Sequence, residues 1–235
     1  MPDGPARASW LTVGEKELII KSLAAEEPPG RRDLWRALYD LRLLALSLAN
    51  FVFQASAYGV GLWLPQIVQG MGFSNRDTGF VVALPYLASL GAMVICGHSS
   101  SKRGERIWHV ALPWPLAASG FAVASLVQSN TIVLAAVSFG LIIMFAAYGP
   151  FFSLPSSFLR GTAAAGGIGL FNMVGSLGGF FGPTLIGALR EGSGDYATGL
   201  AAVAFGFVLA ALIVLVVGRV MAARPVIVIP EMDGA

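Results

Sequence analysis

Six apolar stretches, at about 43–68, 79–97, 107–127, 132–154, 163–189 and 196–220, dominate the 235-residue chain. Each reaches or approaches the ~20 residues that a helix needs to cross a hydrocarbon core of about 30 Å. Short polar breaks separate them, at 72–77, 98–106, 128–130, 158–161 and 190–195. A backbone in lipid has to satisfy its own hydrogen bonds, so stretches of this kind fold as helices. The fold expected is an all-α membrane protein with a six-helix transmembrane bundle over 41–222. A polar segment, 1–40, precedes the bundle, and a short tail, 223–235, follows it. Charged residues make up only 12% of the chain, about half the roughly 25% of a soluble domain. That composition argues against a soluble enzyme, a nucleic-acid-binding domain or a disordered tail. A net charge of +2 is too small to call for a polyanion partner. The single Cys96 allows neither an intrachain disulfide nor a cysteine-based metal cluster, and it reads as a small hydrophobe.

The polar start shows no signal peptide, because no apolar core follows Met1 within thirty residues. Thr12-Val13-Gly14-Glu15 has the spacing of a capping box, with Glu15 reaching back to the Thr12 amide. A short amphipathic helix follows, ended by Pro28-Pro29-Gly30, and it lies on the membrane or in water. An even number of spans puts both termini on one side. That side carries Arg31, Arg32, Arg36, Arg42, Lys102, Arg103, Arg106, Arg160, Arg219 and Arg224, with Arg7, Lys16 and Lys21 in the leading segment. The other side has only Arg76 and Arg190. This positive-inside bias predicts that both termini are cytoplasmic.

No Asp or Glu falls inside the six apolar cores, His98 and His109 flank the loop between the second and third spans, and Arg42 and Arg219 stand at span edges. Ionisable groups inside a membrane are costly and mark ion or proton paths, so this chain by itself shows no proton relay. The same gap removes intramembrane aspartyl and serine proteases and His-ligated haem. Gly166-Gly167-Ile168-Gly169 fails the GxGxxG pattern and follows no strand. Neither an enzyme, nor a cofactor, nor a metal is implied.

Uncharged polar residues remain. Ser47, Asn50, Gln54 and Tyr58 are spaced three, four and four apart, on one helical face. That stripe is expected to face a water-filled cavity. Asn172 and Ser176 share a face of the fifth span and serve either packing or substrate contact. Tyr86 and Ser89 do so in the second span, and Tyr148 and Ser153 flank Pro150 in the fourth. Gly175, Gly178, Gly179 and Gly182 form overlapping small-xxx-small patterns that admit a close neighbouring backbone. Pro65, Pro85, Pro113, Pro115, Pro150 and Pro183 remove helix hydrogen bonds and permit kinks.

The stretch from Gly97 to Arg106, GHSSSKRGER, resembles the major facilitator superfamily loop signature G-x-x-x-D-R/K-x-G-x-R. Gly97, Lys102, Gly104 and Arg106 match, and Ser101 stands where the signature has Asp. The segments GLWLPQI at 61–67, ALPYL at 83–87, GERIWHVALP at 104–113 and GTAAAGGI at 161–168 resemble the anion:cation symporter branch, which carries carboxylates such as sugar acids and tartrate. The resemblance covers nearly the whole chain but only the second half of such a transporter, from the central loop through spans seven to twelve. It implies the C-terminal half of a proton-coupled carrier of a small organic anion, read from a truncated or miscalled frame or from a split gene. In the family, the cation that meets the carboxylate and the proton-carrying acids lie mostly in the first half, so a coupling cation would act through an N-terminal half. By match of position, the resemblance makes Gln54, Tyr58 and Asn172 the leading substrate-binding residues. Phe152, where the family often has Trp, and Ser153 come next. Gln and Asn donate and accept, which suits hydroxyl-rich acids. The loop residues would help to set the conformational state, and Ser101 would still cap a helix, without charge. The competing readings are a self-dimerising half-transporter and a six-helix membrane interaction protein.

Overall fold

In the computed structural model, the described residues are 5–25, 35, 37–159 and 161–222. Among them all regular structure is helical. The helices are α1 Val13–Ala25, α2 Leu41–Gly70, α3 Asn75–Arg103, α4 Trp108–Ala111, α5 Pro113–Leu126, α6 Asn130–Ala146, α7 Tyr148–Phe152, α8 Gly161–Ser193 and α9 Ala197–Ala222. Six segments are long and apolar enough to cross a membrane: α2, α3, α4 with α5, α6 with α7, α8 and α9. Pro28-Pro29-Gly30 and Arg31, Arg32, Arg36, Arg160 and Arg224 lie outside the described residues.

Local chemistry sets the helix ends. The Thr12 amide and hydroxyl both donate to Glu15 Oε2, at 2.9 and 2.8 Å, and start α1. Asp40 caps α2 by accepting from the Arg42 amide at 2.8 Å, and its carboxylate pairs with the Arg42 guanidinium at 2.6 Å. Ser74 caps α3 by accepting from the Asp77 amide at 3.2 Å. α3 runs on through the polar residues 98–103 until Gly104, at φ +63°, turns the chain in a left-handed conformation that glycine adopts without a Cβ penalty. The prolines divide into two groups. Pro65, Pro85 and Pro183 lie inside continuous helices. Pro113 instead starts α5, where its missing N–H is no loss, and the third span is broken between Ala111 and Pro113.

α2 is the central element. It packs along α8 and against α9, while α5 lies between α6 and α9, and α3 leans on α6. The α2–α8 contact depends on glycine. A Cβ at Gly178 would overlap the Phe51 carbonyl, and one at Gly182 would overlap the Ala55 carbonyl. Two hydrogen bonds tie the pair together: Asn50 Nδ2 donates to the Phe171 carbonyl at 2.9 Å, and Trp63 Nε1 donates to the Pro183 carbonyl at 3.1 Å. Such bonds between membrane helices contribute about 0.6 kcal/mol each on average.

Phe53, on the opposite side of α2, centres the core. Its ring lies 5.7–6.4 Å from those of Trp114, Phe145, Tyr148, Phe151, Phe152 and Phe207. This cluster ties α2, α5, α6, α7 and α9 together and holds Phe145 and Tyr148 where they reach the cavity described next. The burial is uneven across the bundle. α2 buries half of its most apolar window, but α3 buries only 11% and α8 only 22%. Phe80, Leu84 and Val94 on α3, and Met173, Leu177 and Phe180 on α8, are therefore exposed.

Candidate functional site

Between the exposed faces of α3 and α8 lies a concave cavity of about 650 Å³, within the range of small-molecule sites. Gln54, Ala57, Tyr58, Gly61 and Leu62 of α2 form its floor. Tyr86 of α3, Phe145 of α6, Tyr148 of α7, and Gly179 and Pro183 of α8 form its walls. Small residues make the room: a Cβ on Gly61 would come within 3.3 Å of the Tyr86 hydroxyl, and one on Gly179 within 3.2 Å of the Tyr58 ring. A second, more apolar recess of about 390 Å³ adjoins it and shares Tyr86 and Phe145.

Four polar ends line the cavity: the Gln54 amide and the hydroxyls of Tyr58, Tyr86 and Tyr148. None has a hydrogen-bond partner among the described residues. Each both donates and accepts. No charged side chain is among the lining residues. The site therefore offers neutral hydrogen bonds and aromatic faces, and no counter-charge of its own.

The sequence-derived candidates distribute unevenly. Gln54 and Tyr58 line the cavity, and Tyr58 is 57% exposed. Phe152 stands behind it, stacked on Tyr148 with centroids 4.3 Å apart, and edge-on to Phe171 at 5.5 Å. Ser153 turns its hydroxyl to the Pro150 carbonyl at 2.8 Å. Asn172 is exposed on α8, seven residues before Gly179. Seven residues are nearly two turns, so it shares Gly179's face, roughly 10 Å along the helix, but it does not reach the lining.

The Ser47–Tyr58 stripe does not face the cavity along its whole length. Ser47 and Asn50 are fully buried against neighbouring helices. Ser47 donates to the Leu43 carbonyl at 2.8 Å, and Asn50 is held by Phe171. The physical reason is the close approach of α8 at Gly175, whose hydrogen faces the Asn50 amide directly. Farther along, α8 presents Gly179 and Pro183, and the space opens. Asn50 Oδ1 has no hydrogen-bond partner among the described residues.

Tyr86 and Tyr148 stood out in the sequence only as polar residues within spans. Their convergence on one cavity depends on how α3 and α7 pack. Phe145 carried no signal, because it is one apolar residue in an apolar run.

The loop motif joins α3 to α4 at one end of the bundle. Gly104 makes the turn, and Lys102, Arg103 and Arg106 are exposed. Ser101 caps no helix: it lies in the last turn of α3, and its hydroxyl has no partner among the described residues. The adjacent Ser100 donates to the Glu105 carbonyl instead. Glu105 secures the start of α4. Its Oε1 accepts from the Trp108 amide and its Oε2 pairs with His109 Nδ1, both at 2.8 Å. Burial pushes the Glu105 carboxyl up, but these bonds outweigh it and hold the group below the usual carboxylate range. Ser99 Oγ lies 3.1 Å from His109 Nε2, so the imidazole bridges α3 and the loop.

Comparison with known proteins fits this architecture. The sequence profile of the Major Facilitator Superfamily matches residues 5–183. The chain belongs to that superfamily. A protein of Agrobacterium vitis named as a tartrate transporter is 37% identical over 222 residues, covering 93% of this chain and 51% of the relative. A quinolone resistance transporter of Acinetobacter baumannii is 32% identical, covering 85% of this chain and 47% of its own length. A metabolite transport protein of Pseudomonas putida, NicT, is 32% identical over 83% of this chain and 46% of its own length. The chain thus spans about half the length of the curated relatives it matches. It is an integral membrane protein of a transporter family, with the all-α architecture of that family's C-terminal half. The family and these relatives are transporters rather than enzymes.

Proposed function

We propose that the chain supplies the substrate-shaping half of a secondary transporter for a small organic anion, a carboxylate or sugar acid, coupled to protons through an N-terminal half. The observation that carries this reading is the cavity between α3 and α8, with one amide and three phenolic hydroxyls unpaired on its walls. Gln54 and Tyr58 donate to and accept from the hydroxyl groups of the substrate. Tyr86 and Tyr148 complete the ring, and Phe145 packs on its carbon skeleton. A buried polar group left without its partner costs about 1–3 kcal/mol, which is how such a ring selects hydroxylated ligands. The tartrate-transporter name of the Agrobacterium relative supports the substrate class.

Asn172 lies on the same face of α8 and extends the hydrogen-bonding surface toward one end of the cavity. Phe152 and Ser153 act behind the lining: Phe152 sets the tilt of Tyr148, and Ser153 ties α7 to its own backbone. The uncharged lining leaves the counter-charge for a carboxylate to the other half, across the mouth of the cavity. The exposed apolar rows of α3 and α8 are where a second bundle would pack, and substrate would bind between the halves near the membrane midplane. Gly97, Ser101, Lys102, Gly104 and Arg106 form the hinge-side loop, on the cytoplasmic face with both termini.

The test is uptake of labelled tartrate and related hydroxy acids by the chain paired with an N-terminal half from a related transporter. Gln54→Ala is expected to lower uptake about tenfold or more, as loss of ~1.4 kcal/mol or more of recognition implies. Unchanged uptake in both Gln54→Ala and Tyr58→Phe would sink the assignment of the cavity.

A further inference from the structure

Apart from the cavity, and sharing no residue with it, a crevice of about 360 Å³ opens between the start of α4 and the end of α9. Its floor is apolar, made by Ile107, Leu215, Gly218 and Ala222. The two segments meet closely, since a Cβ on Gly218 would stand 2.7 Å from Ile107 Cγ2. Arg219 and Trp108 form its rim, and both are exposed. Arg219 has no ion pair among the described residues. The one acid on the rim is Glu105, and both of its oxygens are already taken, by the Trp108 amide and by His109. Lys102, Arg103 and Arg106 stand exposed at the same end of the bundle. The rim thus carries one cation without an ion pair, Arg219, and a carboxylate whose hydrogen bonds are already made, with three further cations nearby, while the floor is greasy.

The crevice also has a continuation. Leu112 and Leu116 follow Trp108 at intervals of four, and Leu212 and Val216 precede Arg219 on α9. All four are between 49% and 64% exposed. Spacing of four stacks each pair along one helical face, so two apolar ridges run from the rim into the bilayer. A free anion would use Arg219 and leave the ridges bare. An amphiphile with a phosphate and an acyl chain fits both parts. Tryptophan at a rim of this kind favours the headgroup level of a membrane.

We propose that this crevice is a binding site for an anionic phospholipid. Arg219 pairs with the phosphodiester, the Trp108 indole packs at the glycerol level, and one acyl chain lies along Leu112, Leu116, Leu212 and Val216. Basic clusters at the membrane surface recognise anionic lipids by the same charge complementarity. The site needs neither substrate nor the transport cavity, so it can be tested on the chain itself.

The experiment is to titrate the full chain, in detergent micelles, with phosphatidylglycerol, with phosphatidylcholine of the same acyl chains, and with inorganic phosphate. Bound lipid is counted by native mass spectrometry and the melting temperature is followed in parallel. Phosphatidylglycerol should remain bound and raise the melting temperature, while phosphatidylcholine and inorganic phosphate should not. Arg219→Gln should weaken phosphatidylglycerol about fivefold, the share expected of one interfacial cation. Lys102→Gln, off the crevice, should weaken it less than twofold, and Arg219→Lys should retain most of the binding. Equal binding of phosphatidylcholine, an equal effect of inorganic phosphate alone, or undiminished binding by a folded Arg219→Gln variant would each overturn the proposal.

Discussion

Gly182→Ala is the sharpest probe of the α2–α8 contact on which the cavity depends. The new Cβ would stand 2.6 Å from Ala55 Cα, where carbon atoms pack at about 3.5–4.0 Å. The obstacle is backbone, so no rotamer change relieves it, and the helices have to part by roughly 1 Å. Overpacking of this kind costs about 1–3 kcal/mol. A 1 Å separation also stretches the Trp63–Pro183 hydrogen bond, now 3.1 Å, beyond bonding range. Leaving the indole N–H unpaired adds about 1–3 kcal/mol, so the total is about 2–6 kcal/mol. Gly169→Ala, in the same helix but with open space around its Cβ position, is the control. It should be neutral or stabilising by up to about 1 kcal/mol. The assay is denaturant-induced unfolding in mixed micelles, followed by circular dichroism. Equal stability of the two variants would refute the close-packed α2–α8 contact.

Three further outcomes are expected. Phe53→Ala removes a fully buried ring that contacts six others, and should cost about 3–5 kcal/mol in the same unfolding assay. Asn50→Ala should cost about 1 kcal/mol or less, because its bond to the Phe171 carbonyl supplements that helix rather than building it; a loss above about 3 kcal/mol would show that the Asn50 contact has been misjudged. Glu105 predicts a pH dependence. Its carboxyl is held low by the Trp108 amide and His109 against the opposing effect of burial. Its contribution is therefore present above the unfolded value, about 4.3, and is lost as pH falls through the lower folded value. Melting of the parent and of Glu105→Ala should differ at pH 6 and converge toward pH 3; a constant gap across that range would contradict the loop geometry.

Much of the architecture was legible because lipid imposes length. A stretch such as 196–220 has no alternative to a spanning helix, and Thr12 with Glu15, like Gly104 at the loop turn, carries its own local signal. The candidate site was legible only in part. Helical periodicity groups Ser47, Asn50, Gln54 and Tyr58 on one face, but it cannot say where α8 closes over that face. Glycines at 175 and 178 bring α8 down on Asn50, and the wall opens only past them. Periodicity also gives no distance between helices. Tyr86 and Tyr148, 62 residues apart in sequence, reach one cavity because α3 leans on α6 and the Phe53 cluster props α7. Ser101 stands where the family's loop signature has Asp, yet Ser100 makes the hydrogen bond there, since the last turn of α3 points residue 100 inward and residue 101 outward.

In the proposed function this bundle shapes the substrate site of a transporter and needs a second bundle to work. The most direct measurement is proton-driven uptake of labelled tartrate into vesicles that hold the chain alone, and into vesicles that hold it with a six-span N-terminal half. Uptake is expected only in the paired vesicles, abolished by collapsing the proton gradient and reduced about tenfold by Gln54→Ala. Saturable uptake by the chain alone would contradict it, because the uncharged cavity would then be sufficient for anion transport.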